Sequence, residues 1–413
     1  MMSAVAPPPG GSPVQTLEVR LGQTLIGAIT HLGNEALIFT FDRAYVEAGN
    51  DRPTLSLGFK SADGGLVEQV RPTRVRLSPF FSNLLPEAHL RDYLAARGRI
   101  HPDREFFLIR LLGADLPGAI EIRSSDGAAS PPVDERPADA QLNDQPLHFS
   151  LAGVQLKFSA LMETSKGLTL PVGGGGGDWI VKLPSPRFKG VPENEFAMMT
   201  LARAVGIDVP DVQLVATTNI GRLPHDLPEA FGQSLAVRRF DRPRHGERVH
   251  IEDFAQVFNV YPEHKYRKAS YGNIARVLWL EVGQEAITEY TRRLVFNVLI
   301  GNADAHLKNW SLIYPDRHAP KLAPAYDLVG TIPYIPTDRL ALSLGDTKEF
   351  ADVNLDRFRR LAEKAALPVR LVLQTVRDTT ERIRDLAPAH EPLKALPKRV
   401  RDAIVKHMAT VPL

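Results

Sequence analysis

The chain has 413 residues, 50 Lys plus Arg against 48 Asp plus Glu, 44% apolar residues and no cysteine. The missing thiols exclude a disulfide framework, a thiolate zinc site, a Cys nucleophile and a redox dithiol, and they suit a reducing compartment, the cytoplasm by default. A formal net charge of +2 argues against a dedicated polyanion binder, and the length, at roughly 100 to 200 residues per domain, predicts two or three units.

In chain order, residues 1–14 are small and rich in Pro and Gly, without the basic start and apolar middle of a secretory signal, and read as a disordered lead-in. From Gln15 to Lys60, short stretches of Thr, Val, Ile and Phe punctuated by Gly33-Asn34 and Gly49-Asn50 predict a meander of strands. Leu85, Leu90, Tyr93 and Leu94, then Phe106, Phe107, Ile109, Leu111 and Leu112, fall at helical spacing, so 15–123 form an α+β module. Residues 124–147 hold Asp, Ala, Pro and Ser with almost no large apolar side chain, which is linker composition. Beyond it, Phe149 to Leu161, Leu168 to Leu183, Val209 to Ala216 and Gln233 to Phe240 read as strands. A helix from about Glu193 to Val205 closes on Gly206. From Glu252 the period turns helical, through Tyr271 to Glu281, Ile287 to Ile300 and Leu355 to His407, with one strand-like interruption between Trp310 and Tyr326. The expected architecture is α+β: after the module, a strand-rich lobe over 148–245 and an all-helical lobe, that interruption aside, over 246–413. No apolar run approaches the roughly 20 residues that cross a bilayer, so a soluble protein without membrane contact is expected.

The stretch Gly301-Asn-Ala-Asp304-Ala-His306-Leu-Lys308-Asn309 follows a strong amphipathic helix, and Gly301 fits the position just past its end. Trp310 to Tyr314, a turn over 315–320 and Leu322 to Tyr326 read as a β-hairpin; pairing about residue 318 would set Asn309 beside Asp327. Two oxygen ligands then converge while Asp304 stays free. Asp-x-x-x-x-Asn with a later Asp is the kinase arrangement: Asp304 as base, Asn309 and Asp327 as Mg²⁺ ligands. The plain alternative is an Asx-rich loop capping its own backbone. Lys182 ends the apolar strand Trp179-Ile-Val-Lys, and Glu195, early in the next helix, is placed to hold it as a kinase strand lysine is held.

Gly173 to Gly177 lack the Lys-Ser or Lys-Thr of a Walker motif and read as a hairpin tip. Ser150 to Lys157, with Gly153 between two strand-like arms, is the better phosphate loop. The basic run Arg238, Arg239, Arg242, Arg244, His245, Arg248 and His250 reads as a solvated turn anchored by Phe240, since no aromatic interleaving or recognition helix accompanies it. The 12 histidines contain no His-Glu-x-x-His, and no Gly-x-Ser-x-Gly is present, which leaves zinc and serine hydrolases unsupported.

In order, Ser150-Leu-Ala-Gly-Val-Gln-Leu-Lys157, Ile180-Val-Lys-Leu-Pro184, Glu193-Asn-Glu-Phe196, Arg239-Phe-Asp-Arg242, Asn302 to Asn309 and Pro324-Ala-Tyr-Asp327 resemble the HipA family, as do Ser78 to Pro86 and Gly113 to Ile122. These are bacterial serine/threonine protein kinases, the toxins of toxin–antitoxin modules. The resemblance implies a two-lobed HipA-like fold distantly related to protein kinases, with ATP and Mg²⁺. It implies phosphorylation of a protein serine, typically on an aminoacyl-tRNA synthetase such as the glutamyl enzyme, and so blocked translation. Position by position, it makes Asp304 the base, Asn309 and Asp327 the metal ligands and Lys182 the ATP lysine. Ala152, Gly153, Val154, Gln155, Leu156 and Lys157 become the phosphate loop, Arg238, Arg239 and Phe240 the hinge, and His306 and Lys308 the nucleotide side of the catalytic loop. Ser150 matches a serine whose autophosphorylation would expel that loop, since a phosphate's charge beside a triphosphate disfavours the bound form. The implied partner is a small HipB-like helix-turn-helix antitoxin, through which operator DNA would be contacted indirectly. A small-molecule phosphotransferase, which shares the Asp, Asn and Asp set, and a non-catalytic corepressor stay open.

Overall fold

The computed structural model describes residues 15–125, 157–163, 167–169, 176–223, 232–244 and 246–413. In the N-terminal module, β1 (Gln15–Leu21), β2 (Thr24–His31), β3 (Ala36–Phe41), β4 (Thr73–Arg74) and β5 (Ile120–Ser124) form one antiparallel sheet in the order β4-β3-β2-β1-β5. Along β1, Leu17, Val19 and Leu21 are buried while Glu18 and Arg20 are half-exposed, the period of two expected of a strand with one face on a core. Phe39, Phe80, Phe81 and Phe106, the latter on the helix Glu105–Leu112, fill that core.

A second antiparallel sheet runs β7-β6-β8-β10-β9, with β6 (Lys157–Glu163), β7 (Gly167–Thr169), β8 (Trp179–Lys182), β9 (Val212–Ala216) and β10 (Gln233–Arg238). The helix Val191–Ala204 packs against it. It starts two residues before the expected Glu193, with Pro192 in its first turn where a missing N–H costs nothing. The largest core belongs to the helices Tyr271–Glu281, Gln284–Leu299, Leu355–Lys364, Val369–Leu386 and Lys398–Thr410. This α+β layout, strand-rich first and helical last, is the expected one. Among the described residues no helix is long and apolar enough to cross a membrane.

Within the helical lobe sits a third sheet: β11 (His250–Asp253), β12 (Ser311–Tyr314) and β13 (Lys321–Leu322). The hairpin was expected, but β11 was not. His250 is buried, not part of a solvated turn, and its Nε2 meets the Leu55 carbonyl at 2.7 Å. Where the sequence began a helix at Glu252, the chain makes a single turn, Phe254–Val257, closed by a reciprocal Asp253 and Gln256 capping box.

The module docks on both lobes through buried polar groups. Glu252 of β11 accepts from Ser56 Oγ, from Leu57 N at 2.9 Å and from the Tyr314 hydroxyl. The basic run also needs correcting. Arg239 and Arg242 are buried, Arg239 on Asp115 at 3.1 Å and on Asp241 at 2.7 Å, and Arg242 on Asp241 at 2.8 Å and on the Gly118 carbonyl at 2.8 Å. They are cross-module ties, because the counter-charge of Asp115 is supplied by a distant part of the chain.

Burial pushes the Glu252 carboxyl up to about 7, against the pull of its three donors. A carboxyl raised in the folded state contributes stability below about pH 4.5 that is lost as pH rises through 7. Glu252→Gln keeps the acceptors for Leu57 and Tyr314 and donates to Ser56, so it mimics the protonated acid. The variant is expected to outlast wild type at pH 8 by up to about 3 kcal/mol and to match it near pH 4.5; denaturant melts at the two pH values check this.

Candidate active site

The helix Gln284–Leu299 ends at Ile300, and Gly301 follows at φ +68°, where a Cβ would lie 2.7 Å from the Ile332 side chain. Glycine therefore turns the chain out of the helix at once. Asn302 ties the loop down: its Nδ2 donates to Asn297 Oδ1 at 2.7 Å and to the Asp327 carbonyl at 3.2 Å, and its Oδ1 accepts from Asp304 N at 3.0 Å. The buried Asp304 carboxylate accepts from the Tyr266 hydroxyl. Burial pushes it up to about 7, with Tyr266 and Lys265 pulling the other way. His306 Nε2 lies 3.9 Å from Asp304 Oδ1, and neither ring nitrogen has a hydrogen-bond partner among the described residues. Burial, with Lys265 beside it, holds His306 well below its ordinary value, so the ring is neutral.

Asn309 Nδ2 donates to the Asp304 carbonyl at 2.7 Å, which leaves Oδ1 as its acceptor atom. The hairpin then pairs Leu312 with Leu322 and Ile313 with Lys321, centring on Arg317 rather than residue 318. It returns the chain to Asp327, held at φ +54° in a backbone region that a non-glycine residue rarely occupies. The register of the second sheet sets two cations opposite each other, Lys157 on β6 and Lys182 on β8. Both reach Asp327: Lys182 Nζ its Oδ1, and Lys157 Nζ its Oδ2 at 3.2 Å. Lys182 is buried and also bonds Glu195. Burial works against the charge on Asp327, but Lys157 and Lys182 hold its carboxyl well below the usual range. Burial pushes the Glu195 carboxyl up.

Asp304, Asn309, Asp327, Lys157, Lys182 and Glu195 all line one cleft of about 830 Å³. Phe240 and Tyr326, ring centroids 5.8 Å apart, form part of its apolar wall. Arg238 pairs with Asp178 at 3.4 Å beside it. Two expectations change in kind. The Arg239 guanidinium is consumed by Asp115 and Asp241, so only its main chain remains for a ligand. Lys308 points to the N-terminal module, its Nζ 2.8 Å from the Asn83 carbonyl and 3.0 Å from Glu87. Ser150, Ala152, Gly153, Val154, Gln155 and Leu156 lie outside the described residues. Sequence reasoning missed Tyr266, Lys265 and Glu87; Glu87 directly follows the Ser78 to Pro86 block, the one signal that pointed near it.

No group of three or more His, Asp or Glu that could hold a metal occurs among the described residues. The available donors nonetheless suit Mg²⁺, which takes few protein oxygens and fills the rest with water and phosphate. Asn309 offers a neutral oxygen, and Asp327 an ionised one whose charge partners among the described residues are the cleft lysines Lys157 and Lys182.

Residues 17–123 match the family model of the HipA N-terminal domain, and residues 149–387 that of the HipA-like C-terminal domain. The chain belongs to the HipA family of serine/threonine kinase toxins. It is 50% identical over 403 residues to Y4dM of Sinorhizobium fredii, a protein named provisionally as a kinase, covering 97% of this chain and 98% of that one. It is 28% identical over 411 residues to the serine/threonine-protein kinase toxin HipA of Shewanella oneidensis, covering 89% and 87%. A solved complex of the Shewanella oneidensis HipA, HipB and operator DNA contains a chain of the same fold, TM-score 0.73 over 96% of this chain and 95% of that one at 24% identity. In HipA terms, the cleft straddles the two domains: Glu87 and Asp115 come from the N-terminal match, and Asp304, Asn309 and Asp327 from the C-terminal one.

Proposed function

We propose that this chain is an ATP-dependent serine/threonine protein kinase acting as the toxin of a toxin–antitoxin pair. One observation carries the reading: a buried carboxylate, an Asn and Asp oxygen pair and two lysines converge on a single cleft. Asp304 takes the proton of an acceptor serine hydroxyl, whose oxygen bonds to the γ-phosphorus as the bond to the β-phosphate oxygen breaks and ADP leaves. Tyr266 occupies Asp304 Oδ1, which directs Oδ2 to the acceptor. A pKa near neutrality suits a general base. Lys182, oriented by Glu195, and Lys157 neutralise phosphate oxygens, moving from Asp327 to the nucleotide as it enters. Asn309 and Asp327 would hold Mg²⁺, which when bound supplies further neutralisation of the phosphates. Phe240 and the main chain of Arg238 and Arg239 flank the adenine, with His306 on the nucleotide side of the loop. Ala152 to Lys157 cover the phosphates, and Ser150 is the site of self-inactivating autophosphorylation.

The acceptor is a protein, an aminoacyl-tRNA synthetase of the glutamyl type, and the inhibitory partner is a HipB-like antitoxin that mediates contact with operator DNA. The name of the Shewanella oneidensis relative supports a protein acceptor, and the composition of its solved complex supports the HipB-like partner and the operator DNA; the synthetase rests on the family resemblance alone. Incubation with γ-labelled ATP tests the activity: label on Ser150 or on a synthetase is expected, and label appearing only with an added metabolite would replace the protein kinase by a small-molecule phosphotransferase.

A further inference from the structure

Lys265 and Lys308 flank the catalytic loop, and each is buried or nearly so. Lys265 is tied to the loop by its main chain, whose carbonyl accepts from Leu307 N at 3.3 Å. Lys308 is the neighbour of Asn309, and its carbonyl accepts from the Tyr326 hydroxyl at 2.8 Å. Their ammonium groups meet on one carboxylate, Glu87, with Oε2 2.5 Å from Lys265 and Oε1 3.0 Å from Lys308. Asp253, 3.8 Å from Lys308, is the next nearest acid. Glu87, Lys265, Lys308 and Asp304 all face the same cleft. Glu87 sits at the start of the helix Ala88–Arg97, so a residue of the N-terminal module supplies the charge that keeps two cations of the large lobe in place.

We propose that Glu87 is a positioning residue of the phosphotransfer site, bridging Lys265 and Lys308 so that neither ammonium collapses onto the Asp304 carboxylate. The inference rests on Asp304 being the base. Two like charges held by one acid cannot stay together when it is neutralised. Lys308 keeps Asp253 and the Asn83 carbonyl, whereas among the described residues Lys265 has no ion pair besides Glu87, and the carboxylate that shares its cleft and is bonded by the next residue, Tyr266, is Asp304. A Lys265–Asp304 pair would occupy the oxygen that the acceptor hydroxyl needs. The N-terminal module thereby becomes part of the catalytic unit.

The test uses the full chain, Mg²⁺ and γ-labelled ATP, scoring label on protein plus released phosphate. Glu87→Gln is expected to lower kcat about tenfold or more with the KM for ATP within about twofold, because Lys182 and Lys157 are untouched. Adding Lys265→Met, of similar volume, removes the stray cation and is expected to return kcat to within about threefold of Lys265→Met alone. A merely structural Glu87 gives no such rescue. Unchanged kcat in a folded Glu87→Gln overturns the proposal, as does a loss that Lys265→Met leaves in place. A wild type inert toward ATP overturns the kinase reading and this one together, whereas an active wild type matched by Glu87→Gln overturns only this one.

Discussion

Asp304→Asn is expected to reduce phosphate transfer by about two to four orders of magnitude, the usual contribution of a positioned general base. The substitution is nearly isosteric. The Tyr266 hydroxyl still finds an oxygen, the main-chain bonds from Asp304 to Asn302 and Asn309 are unaffected, and no cavity opens. What disappears is an ionisable group that burial disfavours in its charged form. Activity and stability should therefore move in opposite directions: in metal-free buffer at pH 8, melting of Asp304→Asn should occur no lower than wild type, while turnover of labelled ATP collapses. Growth after induction gives a second readout. Toxicity that survives the substitution would move the biological effect from catalysis to antitoxin binding.

The parts of this cleft that could be read from the sequence are those set by short-range geometry. Asp304 and Asn309 share one loop, Asp327 is returned by a hairpin, and Lys182 meets Glu195 within a single strand and helix, 13 residues apart. The remainder depends on partners far along the chain. Tyr266 reaches Asp304 across 38 residues and Glu87 reaches Lys265 across 178, and no periodicity encodes either meeting. The same distance explains the misread basic run. Arg239 looked solvated because it lies in a run rich in arginine with one acid, Asp241, close by, but a second counter-charge, Asp115, 124 residues earlier, lies against it once the module docks. The strand β11 escaped for a related reason: four residues with two acids carry little β signal until β12 supplies the ladder. Lys157 is intermediate. Its cation was legible, but its place opposite Lys182 follows only from the register of β6 on β8.

That register decides the second large effect. Lys182 is the shared counter-ion of Glu195 and Asp327, with side chains 5%, 3% and 23% exposed. Lys182→Met removes the charge and keeps most of the volume, so the buried Glu195 and the partly buried Asp327 are left, among the described residues, with Lys157, which touches only Asp327. Breaking a buried pair in this way costs about 3 to 5 kcal/mol. The same change removes a cation from the phosphates, and kcat/KM for ATP is expected to fall about a hundredfold or more. A second substitution separates the two losses. Glu195→Gln in the Lys182→Met background removes the orphaned acid and should restore most of the melting temperature, yet turnover should stay low because no ammonium returns to the phosphates. Recovery of activity along with stability would mean that Lys182 acts only as a structural counter-ion. Stability without activity is the outcome expected of a lysine whose ion pairs with Glu195 and Asp327 hold it ready for a nucleotide.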